Sequence, residues 1–503
     1  MNEIMNELIT LIKHVRWLII ANNLATGARH IFPCWDEAGL KAKFTITIKH
    51  SEHYHVHSNI VSNRILTNVS KVITRFQTTP EISTYHIAIV LFDGNDYCRL
   101  LSSHIELWCR CQEIENKLYD FELIKNVKNI IEYVWSREQP LSVHHYIIPG
   151  LKDDGMDKFD FVFYREEDTI YNEEVDPIAR KIEISRLIGR KMVGQLFTKI
   201  SSSWWSYMWL HEGIATLLGV YIINKTEFII INFIRTSNVD DFWTDIQSIY
   251  ELQTKGSREI NVKDIMDPWI KEKRYPVLDV TVNYLNEMKT ISIKNFEKWT
   301  IPLTYTVSPN INFRDTLALN WVEVELEHIS QVTQELKCQW IIVNRQQTGY
   351  YRVNYKKDEW LNISCYLNSE NYTNIHVLNR AQIIDDAFHF VTTNKLHYSV
   401  FVELTSYLSQ ETDYIAWYPM FKAIERMSYV IPFLENTENF KMQLLKLFNS
   451  LLQKIEYEEN PNEDDHIKCL RQEAIRWACI LGDKKCKEAA KIILQRHLRS
   501  HQT

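Results

Sequence analysis

The sequence predicts an α+β multidomain protein: a β-rich N-terminal domain, a mixed domain, a small β-sandwich and a C-terminal domain of α-helical repeats. Three observations lead there. The chain's 503 residues exceed what one hydrophobic core holds, since single cores stop growing near ~250 to 300 residues. The residue pattern changes along the chain from strand type to helix type, back to strand type, and finally to helix type. Hydrophobic residues make up 45%, charged residues 24% and aromatic residues 12%, which is the composition of a folded globular protein.

Residues 1–95 are assigned to the β-rich domain, because Lys43–Ile48 and Tyr85–Leu91 alternate or are rich in β-branched and aromatic residues between polar turns. Residues 96–272 form the mixed domain, with helices predicted over Phe121–Trp135, Val175–Thr198 and Trp209–Ile223. In 273–360, Val277–Tyr284, Trp299–Thr306 and Gln339–Val343 return to strand-type composition, and Gly349 marks a turn. This reads as a small sandwich. Residues 361–503 complete the chain; from Val377 onward apolar residues recur at helical spacing, which predicts stacked helix pairs.

A net charge of -7 with no long basic block gives a phosphate backbone nothing to bind, so nucleic acid is excluded as a partner. The nine cysteines are scattered and odd in number, a pattern of neither a disulfide scaffold nor a zinc finger. Glu3, Glu7, Lys13, His14 and Arg16 interrupt the apolar residues of Met1–Ile20, so no signal-peptide core is visible. No apolar run reaches the ~18 to 20 residues of a membrane span. Asn68, Asn224, Asn362 and Asn371 open N-x-Ser/Thr sequons, which matter only in a secretory compartment.

A series of motifs stands in order along the chain. It runs Phe32-Pro33-Cys34-Trp35-Asp36-Glu37, then Gly155-Met156-Asp157-Lys158 leading into Tyr164-Arg165-Glu166, then Trp209-Leu210-His211-Glu212-Gly213. Trp299-Thr300-Ile301-Pro302-Leu303, Thr348-Gly349-Tyr350-Tyr351-Arg352-Val353-Asn354-Tyr355 and Leu378-Asn379-Arg380-Ala381-Gln382 follow. In order and spacing these resemble the zinc aminopeptidases of the M1 family, from about Trp17 to about Ala490. The resemblance implies a thermolysin-like mixed domain, peptides as partners, and an ancestral reaction that removes single residues from peptide N-termini with zinc as cofactor. It also implies that the first domain is partial, since the chain begins shortly before the first motif. Cys479 and Cys486 resemble a family disulfide, which suggests an extracellular or membrane-associated location; two buried thiols are the alternative.

Such an enzyme needs two histidines four apart on one helical face, a glutamate beside the first, and a third ligand on the next helix. Counted back from Glu212 at the family's interval, the ligand positions fall on Gly189 and Val193, and the general-base position on Arg190. Glycine has no donor, valine cannot coordinate, and a guanidinium cannot accept a proton. Only the third ligand, Glu212, remains, so zinc is not expected at this place. His211 is one step, ~100°, around the helix and cannot substitute. Glu212 is expected to pair with Arg190 or Lys191 instead.

The family's oxyanion-binding tyrosine has no recognisable counterpart, since neither Tyr221 nor Tyr250 has the matching neighbours. Asp157, with Gly155 and Met156, stands where the family captures the substrate's amino group, and Lys158 adds a competing cation. Asn22 aligns with the family's substrate-contacting glutamine. The expected protein is a catalytically inactive homologue that binds peptides. Two alternatives stand beside it: an active aminopeptidase represented by a defective gene model, and an interaction protein using its helical domain. Alternating His53, His55 and His57 would share one face of a strand and could bind a metal, although solvated surface is the commoner reading. His144 and His145 face opposite ways and are read as structural, and Trp204, Trp205 and Trp209 as packing.

Overall fold

The computed structural model describes residues 18–20, 28–37, 39–60, 62–66, 71–102, 104–135, 143–151, 155–172, 176–197, 208–224, 243–244, 246–248, 250–251, 261–285, 288–295, 299–309, 311–313, 320–322, 325–331, 338–429, 438–460 and 462–500. Contacts divide the chain into two compact units, Met1–Glu259 and Ile260–Thr503. The chain combines helix and strand, with β-structure at the N-terminal end and helices at the C-terminal end.

The first unit opens with two three-stranded antiparallel sheets. In one, Lys71–Phe76 lies between Thr47–Ser51 and Ser62–Leu66; in the other, Ile89–Asp93 lies between Leu18–Ile20 and Tyr54–Ser58. Both strands begin later than their composition predicts. Phe44 exchanges hydrogen bonds with Thr79 ahead of the first strand's ladder. Ser83 Oγ accepts from the Tyr85 amide and folds Thr84–His86 into a 3-10 turn, which delays the second to Ile89.

A five-stranded sheet follows, built from β1 (Tyr97–Ser102), β2 (Ile105–Arg110), β3 (Val143–Ile148), β4 (Gly155–Lys158) and β5 (Phe161–Arg165). Its order is β4-β5-β3-β2-β1, with β2/β3 and β3/β5 parallel and the outer pairs antiparallel. Phe161, Val162, Phe163 and Tyr164 are all buried, as a strand covered on both faces requires. An aromatic cluster of Phe92, Trp108, Tyr146, Phe161 and Phe163 fills one core. The other takes apolar side chains of α1 (Leu118–Trp135), α2 (Ile178–Phe197) and α3 (Met208–Asn224), among them Ile124, Val127, Ile131, Ile188, Met192 and Ile222.

The second unit begins with α4 (Val262–Lys271), whose N-terminal amides are capped by Asn261. A four-stranded sheet places Met288–Asn295 and Val277–Leu285 centrally, with Glu325–Gln331 and Arg352–Tyr355 outside them. Seven helices follow among the described residues: α5 (Lys357–Leu367), α6 (Val377–Thr392), α7 (Tyr398–Thr405), α8 (Tyr414–Ser428), α9 (Glu438–Ile455), α10 (Asp465–Ile480) and α11 (Lys484–Ser500). In α8 the buried Trp417, Met420, Phe421 and Ile424 recur at three to four residues, the stripe that docks a helix on its neighbours. Arg352 of the Thr348–Tyr355 motif is bound to α6: its Nη1 donates to Asp385 at 2.7 Å and Asp386 at 2.8 Å, tying the last strand to that helix. No helix among the described residues is long and apolar enough to cross a membrane.

The cysteines are not the scattered set their spacing suggested. Cys98–Cys111, Cys338–Cys365 and Cys479–Cys486 form disulfides, and Cys34, Cys109 and Cys469 remain thiols. The β1/β2 hairpin creates the first pair by folding the chain back on itself, and Cys338 meets Cys365 across 27 residues. Neither follows a local spacing rule.

Candidate functional site

Gly189, Arg190 and Val193 lie on α2, and Glu212 lies on α3. On α2, Ile184, Leu187, Ile188, Met192, Val193 and Leu196 recur at three to four residues and are buried in the helical core with Ala215 and Ile222 of α3. That stripe places Gly189 and Val193 against α3. Val193 is 0% exposed and surrounded by apolar side chains. Arg190, one residue after Gly189, reaches the rim: its Nη1 lies 3.9 Å from Glu212 Oε2, with the two side chains 24% and 39% exposed. This is an ion-pair approach beyond hydrogen-bond length, screened by solvent, between the partners named from sequence.

Gly155, Met156 and Asp157 lie on β4, the outermost strand of the five-stranded sheet among the described residues, in register with Tyr164, Phe163 and Val162 of β5. Lys158 is the cation next to Asp157 in the chain. It is fully buried, its Nζ donates to the Tyr85 carbonyl at 2.8 Å, and it sits 3.7 Å from the Tyr85 ring centroid. Its charge is satisfied by a carbonyl and a ring face that sequence spacing does not reveal. Asn22 lies outside the described residues, as do Trp204, Trp205 and most of the stretch in which the oxyanion tyrosine was sought. Tyr221 packs half-buried against the helical core.

The histidines reach different ends. The strand starts at Tyr54, so His53 precedes it, and only His55 and His57 share a strand face. His55 stacks on Phe92 with ring centroids 5.7 Å apart. His57 Nδ1 is hydrogen-bonded to the Tyr146 hydroxyl, and burial pushes its pKa down to about 4, with His144 adding to the effect. His145 is buried against Tyr164, and its pKa falls to about 3 for the same reason. His144 instead meets Glu106, whose carboxyl is held down to about 2 by that hydrogen bond. Among the described residues no group of three or more His, Cys, Asp or Glu side chains is placed to hold a metal ion.

Comparison with known proteins accords with the motif order. A family model of the peptidase M1 N-terminal domain matches residues 12–86, and one of the ERAP1-like C-terminal domain matches 340–503. Both models are of domains found in the M1 aminopeptidases, the family that the motif order resembles. It is 23% identical to aminopeptidase A of Gloydius brevicauda over 95% of this chain and 58% of that protein. It is 25% identical to aminopeptidase N of Plutella xylostella, over 95% of this chain and 60% of that protein. The thyrotropin-releasing hormone-degrading ectoenzyme of Rattus norvegicus is 23% identical, over 97% and 55%. The chain thus spans rather more than half the length of these relatives.

M1 enzymes are in general zinc-dependent, which makes the donor set on α2 and α3 the test of fit. At the places the motif spacing assigns stand no side chain, a guanidinium, a buried isopropyl group and one half-exposed carboxylate. These do not fit a zinc ion, which takes three protein ligands and a water in a catalytic site.

Proposed function

We propose that this chain is a non-catalytic M1-family protein that keeps the family's framework and binds peptides without hydrolysing them. The ancestral activity is zinc-dependent removal of single residues from peptide N-termini. The observation that carries the reading is the residue set Gly189, Arg190, Val193 and Glu212, which supplies one carboxylate where the reaction needs three ligands and a base. Glu212 is then a remnant third ligand, and no intact catalytic group stands beside it.

Within this reading Asp157 is the carboxylate that meets a peptide's terminal ammonium, with Gly155 and Met156 beside it and Asn22 as a weaker contact. Residues 96–272 are a thermolysin-like domain and 273–360 a small sandwich between the β-rich first 95 residues and the helices from 361. An extracellular or membrane-associated location is supported by three disulfides and by the ectoenzyme name of one relative. In that compartment the chain is a glycoprotein.

The test is direct. The purified chain is assayed for bound metal and for release of a chromogenic amine from aminoacyl amides, with peptide binding followed by calorimetry. Peptide binding without zinc or turnover is the expected result. Stoichiometric zinc with chelator-sensitive turnover overturns the reading.

A further inference from the structure

Two glycines face each other between α2 and α3. A Cβ built on Gly189 would stand 2.7 Å from Ile223 Cδ1 and 2.9 Å from the Gly219 carbonyl oxygen. A Cβ built on Gly219 would stand 2.6 Å from the Arg190 amide nitrogen and 2.7 Å from the Gly189 carbonyl carbon. Real Cβ atoms do not approach this closely, and most of these neighbours are backbone, which cannot rotate away. Gly213, on the same helix, has nothing within 4 Å of its Cβ position. The crowding therefore belongs to the 189/219 contact and not to every glycine of α3.

Glycine weakens a helix interior relative to alanine, so two of them meeting in mid-helix require a compensating gain. The gain here is close approach of the helix backbones, with Ile188, Met192, Val193, Ala215 and Ile222 buried around the contact. We infer that the Gly189/Gly219 contact has closed the space in which a metal ligand at position 189 would project, so the two helices are joined by backbone packing and replacing the missing donors does not restore a metal site. The inference rests on the motif-based placement of the ligand positions used for the proposed function, and it adds that the loss is steric as well as chemical. An imidazole at 189 needs room for a five-membered ring where Gly219 already excludes a single carbon. Arg190 reaches from beside this contact to Glu212, which lies seven residues before Gly219 on α3, and the two meet part-exposed at the rim.

Four full-length chains test it: native, Gly213→Ala, Gly219→Ala and the triple variant Gly189→His/Arg190→Glu/Val193→His. Gly219→Ala is expected to lower the melting temperature by roughly 3 to 10 °C, the range for overpacking a core of this size. Gly213→Ala should leave it unchanged or raise it, since alanine favours the helix and meets no neighbour. The triple variant is expected to bind no zinc, or to melt well below the native chain. A Gly219→Ala chain as stable as Gly213→Ala overturns the inference, and so does a triple variant with stoichiometric zinc at an unchanged melting temperature. Zinc and turnover in the native chain would sink the proposed function while leaving the alanine comparison to decide the packing.

Discussion

Arg190 Nη1 stands 3.9 Å from Glu212 Oε2, so a cation from α2 meets the one carboxylate that the family motif leaves on α3. The pair occupies the rim and not the core. Solvent screens it, and its length exceeds a hydrogen bond. A double-mutant cycle with Arg190→Ala and Glu212→Ala is expected to give a coupling below about 1 kcal/mol. A coupling above about 2 kcal/mol would show that the pair is the principal tie between the helices, against the packing described above.

Acid should weaken the first unit through two buried histidines, with Asp120, whose carboxyl burial raises to about 7, opposing them over the same pH range. His57 and His145 are held by burial at about 4 and about 3, against an ordinary 6.5, so the unfolded chain takes up their protons first. Stability they contribute is present above pH 6.5 and is lost as the pH falls through about 4 and then about 3. For His57 this is on the order of 3 kcal/mol; His144, His55 and Arg99 oppose its protonation and Glu106 favours it. Urea unfolding at pH 7 and pH 5 checks this, and His57→Gln should flatten the difference. A His57→Gln chain with the same difference between pH 7 and pH 5 as the native chain would show that His57 contributes nothing to it.

In the second unit Arg380 and Glu411 are both buried and joined at 2.8 Å, Arg380 also donating to the Ile375 carbonyl at 2.6 Å. Arg380→Ala leaves a buried carboxylate without its counter-ion, and a loss of about 3 to 5 kcal/mol is expected. Guanidinium unfolding measures it; a loss under about 1 kcal/mol would mean the backbone amides of Thr412 and Asp413, which also bond Glu411, suffice.

Of the two sequons whose acceptor side chains are described, only Asn371 is presented openly. Asn371 and Thr373 are exposed at a 3-10 turn, whereas Asn362 lies within α5 and Ser364 of its sequon is fully buried. A chain directed through the secretory pathway should carry a glycan at Asn371. Peptide mapping after endoglycosidase treatment reads the site; occupancy at Asn362 with Asn371 bare would contradict the exposure argument.

The sequence by itself determined the helices over Phe121–Trp135 and Val175–Thr198, which the structure places within a residue or a few at Leu118–Trp135 and Ile178–Phe197, because a 3.6-residue apolar period is local information. It also determined the chemistry of the donor set, since what glycine, arginine and valine can bind does not depend on the fold. Strand starts were less legible: a serine cap and a threonine exchange moved them, and both are contacts of side chain with backbone. Tertiary structure alone decided that Lys158 is satisfied by Tyr85, that Cys98 bonds Cys111 and that Gly189 touches Gly219. Each of those depends on a contact between separate elements, from neighbouring hairpin strands for Cys98 and Cys111 to segments 73 residues apart for Lys158 and Tyr85, which the packing of helices and sheet establishes.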